Sequence, residues 1–372
     1  MIKILQTSNI DLGATPLFTN EFSDCHVRHR LETFNAMVDL AIEHQVDLFM
    51  VLGHLFSSVT SCDEWTDTVL SAFHRLEEHG IAVVLYLTNQ DKYPDNIDLQ
   101  HYCVESNRCD PVELEIGESR LFLHLIQQPI TGRLPLTCVE NDELANNYHL
   151  GIFLKSVSDD ECSNPYYDYL IHNKEFLEGL GCCYIAVGNR YPAKLVVDDV
   201  IVACSVGSPQ ALDFTQKGPC HCAIVTIDGQ HNHVELVEIQ RSLFERVTLD
   251  ITECGDERSV YTEIAQLAKE NLVLQVELVG AIEYPLSLHR ILDQCQNLFT
   301  YLEIIDHTSL LNSLYLQSMA KENTVRGKLA QSFIVLNENN SDVDQLRIYE
   351  LALRDLLQRF NAINVSNSKA NL

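Results

Sequence analysis

The sequence predicts an α/β fold in which two β-sheets pack as a sandwich flanked by helices, followed by a small α+β domain and C-terminal helices. Three patterns predict it. Strand-like and helix-like periods alternate through the first two hundred residues, short turn-bounded strands crowd residues 194–239, and a strand, helix, strand, helix, strand order resumes after about residue 245.

The elements follow in order. Ile2–Gln6 reads as a strand, and Arg28–His44 as a helix with Leu31, Phe34, Val38 and Ile42 on one face. Val46–Leu52 is strand-like, Asp63–His79 helical and Ile81–Leu87 strand-like; continuous apolar runs that each follow a helix describe βαβ crossovers in a buried parallel sheet. Further strands are expected at Arg120–Ile126, His149–Leu154 and Cys182–Val187, then at Leu195–Val197, Val200–Ser205, Ala223–Ile227 and Val234–Ile239. Beyond a boundary near 245 come strand Arg246–Ile251, helix Glu257–Glu270, strand Val273–Ile282, helix Pro285–Leu298 and strand Tyr301–Ile305. Helices at Thr324–Leu336 and Asp342–Phe360 close the pattern, the second with Leu346, Tyr349, Leu353, Leu356 and Leu357 as an apolar stripe suited to a partner or to the chain itself. The expected domains are 1–245, 246–323 and 324–372.

Composition narrows the function. Lys+Arg number 25 against 53 Asp+Glu, a net charge of −28 that disfavours an autonomous grip on phosphate backbone. No apolar run is long enough to span a bilayer and no leader-like segment opens the sequence, so the expected location is the cytoplasm. The 13 cysteines lie scattered in strand-like segments and read as reduced, buried small hydrophobes.

In open α/β sheets, ligands gather beyond the C-terminal ends of strands. The loops there are Thr7-Ser8-Asn9-Ile10-Asp11-Leu12-Gly13, Gly53-His54-Leu55-Phe56-Ser57, Thr88-Asn89-Gln90-Asp91, Leu154-Lys155-Ser156, Gly188-Asn189-Arg190-Tyr191-Pro192 and Val206-Gly207-Ser208-Pro209. Their order and spacing resemble the calcineurin-like metallophosphoesterases, and among them the SbcD-type DNA repair exonucleases, whose loops read D-x-H, G-D-x-F-D, G-N-H-D, a lone His, and G-H-x-H before a Gly-Ser-Pro turn. The likeness extends to the Gly207–Phe214 stretch and to the domain and helices after 245. It implies a four-layer metallophosphoesterase-like sandwich, a capping domain, and C-terminal helices that grip the coiled coil of an SMC-like (SbcC-type) ATPase.

Where the resemblance implies metal ligands, this sequence has Asn9 for Asp, Asp11 for His, His54 for the bridging Asp, Lys155 for His, Asn189 for His and Tyr191 for His; Asn89 alone matches. Gln90 stands for the proton-donating His, and an amide does not exchange protons near neutral pH. A hydrolytic pair of ions about 3.5–4 Å apart needs a bridging carboxylate, which His54 does not supply. These positions therefore read as a degenerate active site with no catalytic residue and no metal. Lys155 is expected to pair with Asp11 or Asp91 in place of the lost cations, and Arg190 is a candidate phosphate contact or the partner of a neighbouring acid. The alternative is a rearranged site for manganese or zinc built from Asp11, His54, Asn89 and Asp91.

Two further clusters invite a chemical reading. Cys220-His221-Cys222 and His231-Asn232-His233 have zinc-like composition, but a turn at Asp228-Gly229 would pair Ile227 with Gln230 and hold His231 roughly 20 Å from Cys220 at about 3.3 Å per residue. Cys25, His26 and His29 could form a Cys–His pair, for which the neighbouring sequence offers no third, orienting group. Arg28, His29 and Arg30 form a small cationic cluster.

The sequence thus points to a catalytically degenerate subunit of an SMC-like ATPase in DNA processing, repair or defence. It would reach DNA through that complex, without a membrane, as a homodimer or a mixed dimer with a competent homologue. The alternatives are a metal-dependent nuclease or phosphoesterase with an altered site, and an acidic regulatory module for a basic partner.

Overall fold

The computed structural model describes residues 1–15, 20–57, 59–86, 98–104, 110–126, 146–154, 181–188, 190, 194–198, 200–228, 232–282, 284, 286–310 and 314–369. It divides into two compact units, Met1–Phe244 and Glu245–Leu372.

The first unit is α/β. Strand β1 (Ile2–Ser8) leads to helix α1 (Asn20–Glu43), β2 (Leu48–Leu52), helix α2 (Val59–Glu78), β3 (Ala82–Tyr86) and β4 (Cys103–Val104). β5 (Val112–Ile116), β6 (Ser119–Leu125), β7 (Asn147–Leu154), β8 (Tyr184–Gly188), β9 (Lys194–Asp198), β10 (Val200–Ser205), β11 (His221–Ile227) and β12 (Asn232–Glu238) follow. One six-stranded sheet runs β12-β11-β1-β2-β3-β4 and the other β5-β6-β7-β8-β10-β9. The centre of each is parallel: β1, β2, β3 and β4 in the first, β6, β7, β8 and β10 in the second.

The two-residue period of the strands sorts their side chains between two cores. Ile2 and Ile4, Leu48, Met50 and Leu52, and Val84 and Tyr86 meet Leu121, Leu123, Leu150, Ile152 and Ala186 of the second sheet. The alternate residues Leu5, Phe49, Val51, Val83 and Leu85 face Phe34, Met37, Val38 and Ala41 of α1 and Val69, Ala72, Phe73 and Leu76 of α2. Helices, sheet and sheet thus stack as three layers among the described residues. Polar contacts also cross between the sheets: the Tyr184 hydroxyl donates to Gln6 Oε1 at 2.8 Å, Gln6 Nε2 donates to the Cys204 carbonyl at 3.0 Å, and the Tyr86 hydroxyl donates to the Leu123 carbonyl at 3.4 Å.

Helix α1 begins eight residues before the expected Arg28 because its first turns bury Phe22, His26 and Arg30 at four-residue spacing. A reading of apolar periodicity alone passes over a stripe in which two of three members are polar. The β11–β12 hairpin is also longer than expected: Ile227 pairs with Asn232 and Thr226 with His233, so the connection spans 228–231 and His233 takes the place expected of His231. Strands β4 and β5 were not among the elements expected from the sequence.

The second unit contains both the small α+β region and the terminal helices. β13 (Leu243–Asp250), β14 (Leu272–Val279) and β15 (Tyr301–Asp306) form a sheet in that order, β14 and β15 parallel. Its helices are α3 (Glu257–Gln266), α4 (Leu288–Cys295), α5 (Leu314–Met319), α6 (Val325–Glu338) and α7 (Val343–Lys369). Arg354 of α7 ties this unit together through Asp306, through Glu350 at 2.9 Å and through the Thr308 carbonyl at 2.7 Å. No described helix is long and apolar enough to cross a membrane.

Replacing Tyr184 by Phe leaves Gln6 Oε1 buried without its donor, a loss of about 1–2 kcal/mol that urea unfolding at neutral pH reads directly. An unchanged midpoint would remove the inter-sheet role given to this hydroxyl.

Candidate functional site

The C-terminal ends of β1, β2 and β8 converge on one mouth. Asn9 and Asp11 follow β1 with φ of 46° and 50°, left-handed conformations that Asn and Asp tolerate better than most residues. They hold the loop against the one after β2. The Asn9 N–H donates to the Leu52 carbonyl (3.2 Å), the Asp11 N–H to the His54 carbonyl (3.2 Å), and the Leu12 N–H to the Leu55 carbonyl (2.8 Å). In return the His54 N–H donates to Asn9 Oδ1 at 3.2 Å. Gly53, at φ +94°, makes the approach feasible, since a Cβ there would lie 2.2 Å from Asn9 Oδ1.

Arg190 closes the mouth from beyond β8, its Nη2 at 3.3 Å from Asp11 Oδ2. Its carbonyl accepts from the Ser208 N–H (3.2 Å) and Gln216 Nε2 (2.8 Å), which pin the residue's backbone. Asp11 is buried while the Arg190 side chain remains about one-third exposed, at 34%.

Beneath this mouth lies a group that apolar patterning could not flag. Arg30 is 1% exposed and donates to three elements: Nη1 to the Ile10 carbonyl (2.6 Å), Nη2 to the Gln210 carbonyl (2.9 Å) and Nε to His26 Nε2 (3.2 Å). Burial lowers its guanidinium to about 10, opposed by the Asp11 carboxylate, so it stays charged at neutral pH. Gln210 is held in turn, its Oε1 accepting from the Arg241 and Ser242 N–H groups and its Nε2 donating to the Ser242 carbonyl. The Ser208 hydroxyl donates to the Asn9 carbonyl at 2.8 Å. The expected cationic cluster of Arg28, His29 and Arg30 is therefore not a surface patch, because Arg30 points into the fold.

His26 packs between Phe22 and Phe244, with ring centroids at 5.6 and 5.7 Å, and accepts from Arg30. Burial first, then the neighbouring guanidinium, hold its imidazole down at about 3.

Of the sequence-predicted site residues, the structure brings Asn9, Asp11, His54 and Arg190 together. Asn89, Gln90, Asp91, Lys155, Asn189 and Tyr191 lie outside the described residues. Asp11 pairs with Arg190, the role expected of Lys155. The other candidate segment, on α7, is turned inward in part: Leu353 and Leu357 are buried, Leu346, Tyr349 and Leu356 are half-buried, and among the described side chains the large exposed apolar ones are Val343, Ile348 and Leu351. In the hairpin, Cys220 precedes β11 and lies six residues from Thr226, the partner of His233, which separates Cys220 from His233; His231 lies outside the described residues.

The described residues do not fit a pair of divalent ions. Among the described residues, Asn9 Oδ1 accepts from the His54 N–H, Asp11 pairs with Arg190, and the buried Arg30 guanidinium feels the charge of both Asp11 and Asp213. A carboxylate already paired with a guanidinium is a poor ligand for a dication.

No protein-family model matches the chain, and no curated protein matches it. Among solved structures it is similar to a single mutant of Vps29 from Entamoeba histolytica (10% identity, TM-score 0.28, 64% of this chain and 99% of that one). It is similar at the same level to Vps29 from Chaetomium thermophilum (9%, 0.27, 64% and 99%) and to Vacuolar Protein Sorting 29 from Cryptosporidium parvum (10%, 0.28, 64% and 98%).

Two outcomes follow from the site's packing. Gly53→Ala should lower stability by about 2 kcal/mol or more in chemical denaturation, since a Cβ both opposes the positive φ and strikes Asn9. Stability should also fall with acid. The folded His26 value of about 3 lies below the ordinary 6.5, so its contribution is complete above pH 6.5 and drains as pH falls towards 3. Between pH 6 and 4 the wild type should lose about 1 kcal/mol per pH unit more than His26→Gln, which keeps an acceptor for Arg30 without titrating. Parallel curves would show that His26 does not carry the acid sensitivity.

Proposed function

We propose that the chain is a catalytically degenerate, metal-free relative of the SbcD-type phosphoesterases, acting as a structural or regulatory subunit of an SMC-like ATPase in DNA processing, repair or defence. The observation that carries this reading is the engagement of Asp11 by Arg190 and of Asn9 Oδ1 by the His54 N–H. Two side chains at would-be ligand positions, Asp11 and Asn9, are engaged by protein groups instead, an arrangement that keeps the loops' shape and supports a reading without phosphoester cleavage. The resemblance in loop order supplies the family, and it supplies the partner as well.

A scaffold of this kind needs a surface rather than a pocket. The exposed Val343, Ile348 and Leu351 of α7 provide apolar positions on a long helix, the arrangement by which helices meet a coiled coil. The −28 net charge fits a subunit that reaches DNA through its partner instead of gripping it directly.

The test is calorimetric titration of the metal-stripped protein with manganese and with zinc, alongside hydrolysis of a chromogenic phosphodiester. No heat of binding up to millimolar metal and no turnover are expected. Two ions bound per chain, with activity lost in Asp11→Ala, would overturn the reading in favour of an altered metalloenzyme. Co-purification with a coiled-coil ATPase bearing Walker motifs, weakened by Ile348→Asp together with Leu351→Asp, tests the partner.

A further inference from the structure

The Cys–His pair that lacked a third group in the sequence gains one in the fold. Cys25 and His29 stand one turn apart on α1, with Cys25 Sγ 3.4 Å from His29 Nε2. His29 Nδ1 lies 2.5 Å from the hydroxyl of Ser242, a residue 213 positions away in sequence. Ser242 is 1% exposed and cannot wander, because its N–H and its carbonyl are both held by the Gln210 amide, at 3.2 and 3.0 Å. Cys25 and His29 are only partly buried, within reach of solvent.

The arrangement is that of a nucleophile, a base and an orienting group. Assigning the Nδ1 proton to the Ser242 contact leaves the Nε2 lone pair facing the thiol. Burial lowers the His29 imidazole below its ordinary value, opposed by Glu32 and aided by Arg28 and Arg241, so at neutral pH it is free to accept a proton. Arg28 adds a guanidinium 3.8 Å from the sulfur, where it steadies developing negative charge. Four cysteines elsewhere stay protonated: burial pushes Cys183 and Cys220 up to about 11 and Cys204 and Cys222 up to about 12.

We propose that Cys25 is an activated thiol that reacts with peroxides, with His29 as its base and Ser242 as the residue that positions the imidazole. As Sγ attacks one oxygen of hydrogen peroxide, its proton passes to His29 Nε2. The S–O bond forms and the O–O bond breaks, its electron pair leaving on hydroxide, which takes the proton back from Nε2 as water. Sulfur is oxidised by two electrons and peroxide reduced by two, giving a sulfenic acid, water and neutral His29. Nothing in this step depends on the reading given for the strand-end mouth.

The experiment treats the full, reduced chain with hydrogen peroxide, traps sulfenic acid with dimedone and maps the adducts by mass spectrometry. Cys25 should be labelled about tenfold or more faster than Cys254, which is also only partly buried, and His29→Gln should lower the Cys25 rate about tenfold or more at pH 7. A pH profile separates base from scaffold. The wild-type rate should change little from pH 7 to 8 and fall only as His29 protonates, whereas an unassisted thiol climbs by about tenfold per unit over that range. Ser242→Ala should give an intermediate rate with a steeper profile. Labelling of Cys25 no faster than Cys254, or a wild-type rate that climbs like an unassisted thiol, would overturn the proposal even if the variants failed to fold.

Discussion

A guanidinium shut away from water must find fixed acceptors in every direction its donors point, and Arg30 imposes that condition on the whole first unit. Its partners come from its own helix, from the loop after β1 just before it, and from the turn at Gln210, 180 residues away. Each must be in place before the charge can be buried. The left-handed turns at Asn9 and Asp11, the Ser208 hydroxyl under Asn9 and the Gln210 amide under Ser242 are all consequences of meeting that demand. The shape of the mouth is therefore set from below by one cation.

That dependence separates what fixes the shape of these loops from what their side chains can do. Gly53 and the Gly207-Ser208-Pro209 turn serve the backbone, and their requirements are steric. Side chains that project from such loops carry no comparable steric requirement. Asp11 beside Arg190 is a buried carboxylate held by a guanidinium.

The layered architecture was legible in the sequence because strands buried on both faces leave continuous apolar runs, as Leu48 to Leu52 do, and because in βαβ crossovers those runs follow helices. What stayed hidden was polar. The start of α1 was obscured by His26 and Arg30 standing in core positions, and the hairpin after β11 was misjudged by two residues because Asp228-Gly229 imitates a tight turn. Among site residues, the strand-end rule located Asn9, Asp11, His54 and Arg190. It could not find Arg30, Gln210 or Ser242, since a helix interior, a turn and a strand approach carry no local mark of what they will face. A Pro at 209 beside Ser208 was the nearest signal.

The Tyr184, Gln6 and Cys204 bridge has a consequence for how this sandwich can change over time. Two sheets joined by aliphatic contacts alone accept many combinations of Val, Ile and Leu, because dispersion contacts carry little directional information. A phenol and an amide, by contrast, must match donor to acceptor across the interface. Drift at residue 6 is thus coupled to drift at residue 184, and the pair should be inherited or lost together. The bridge acts as a registration mark, recording which alignment of the sheets the rest of the chain was selected to fit.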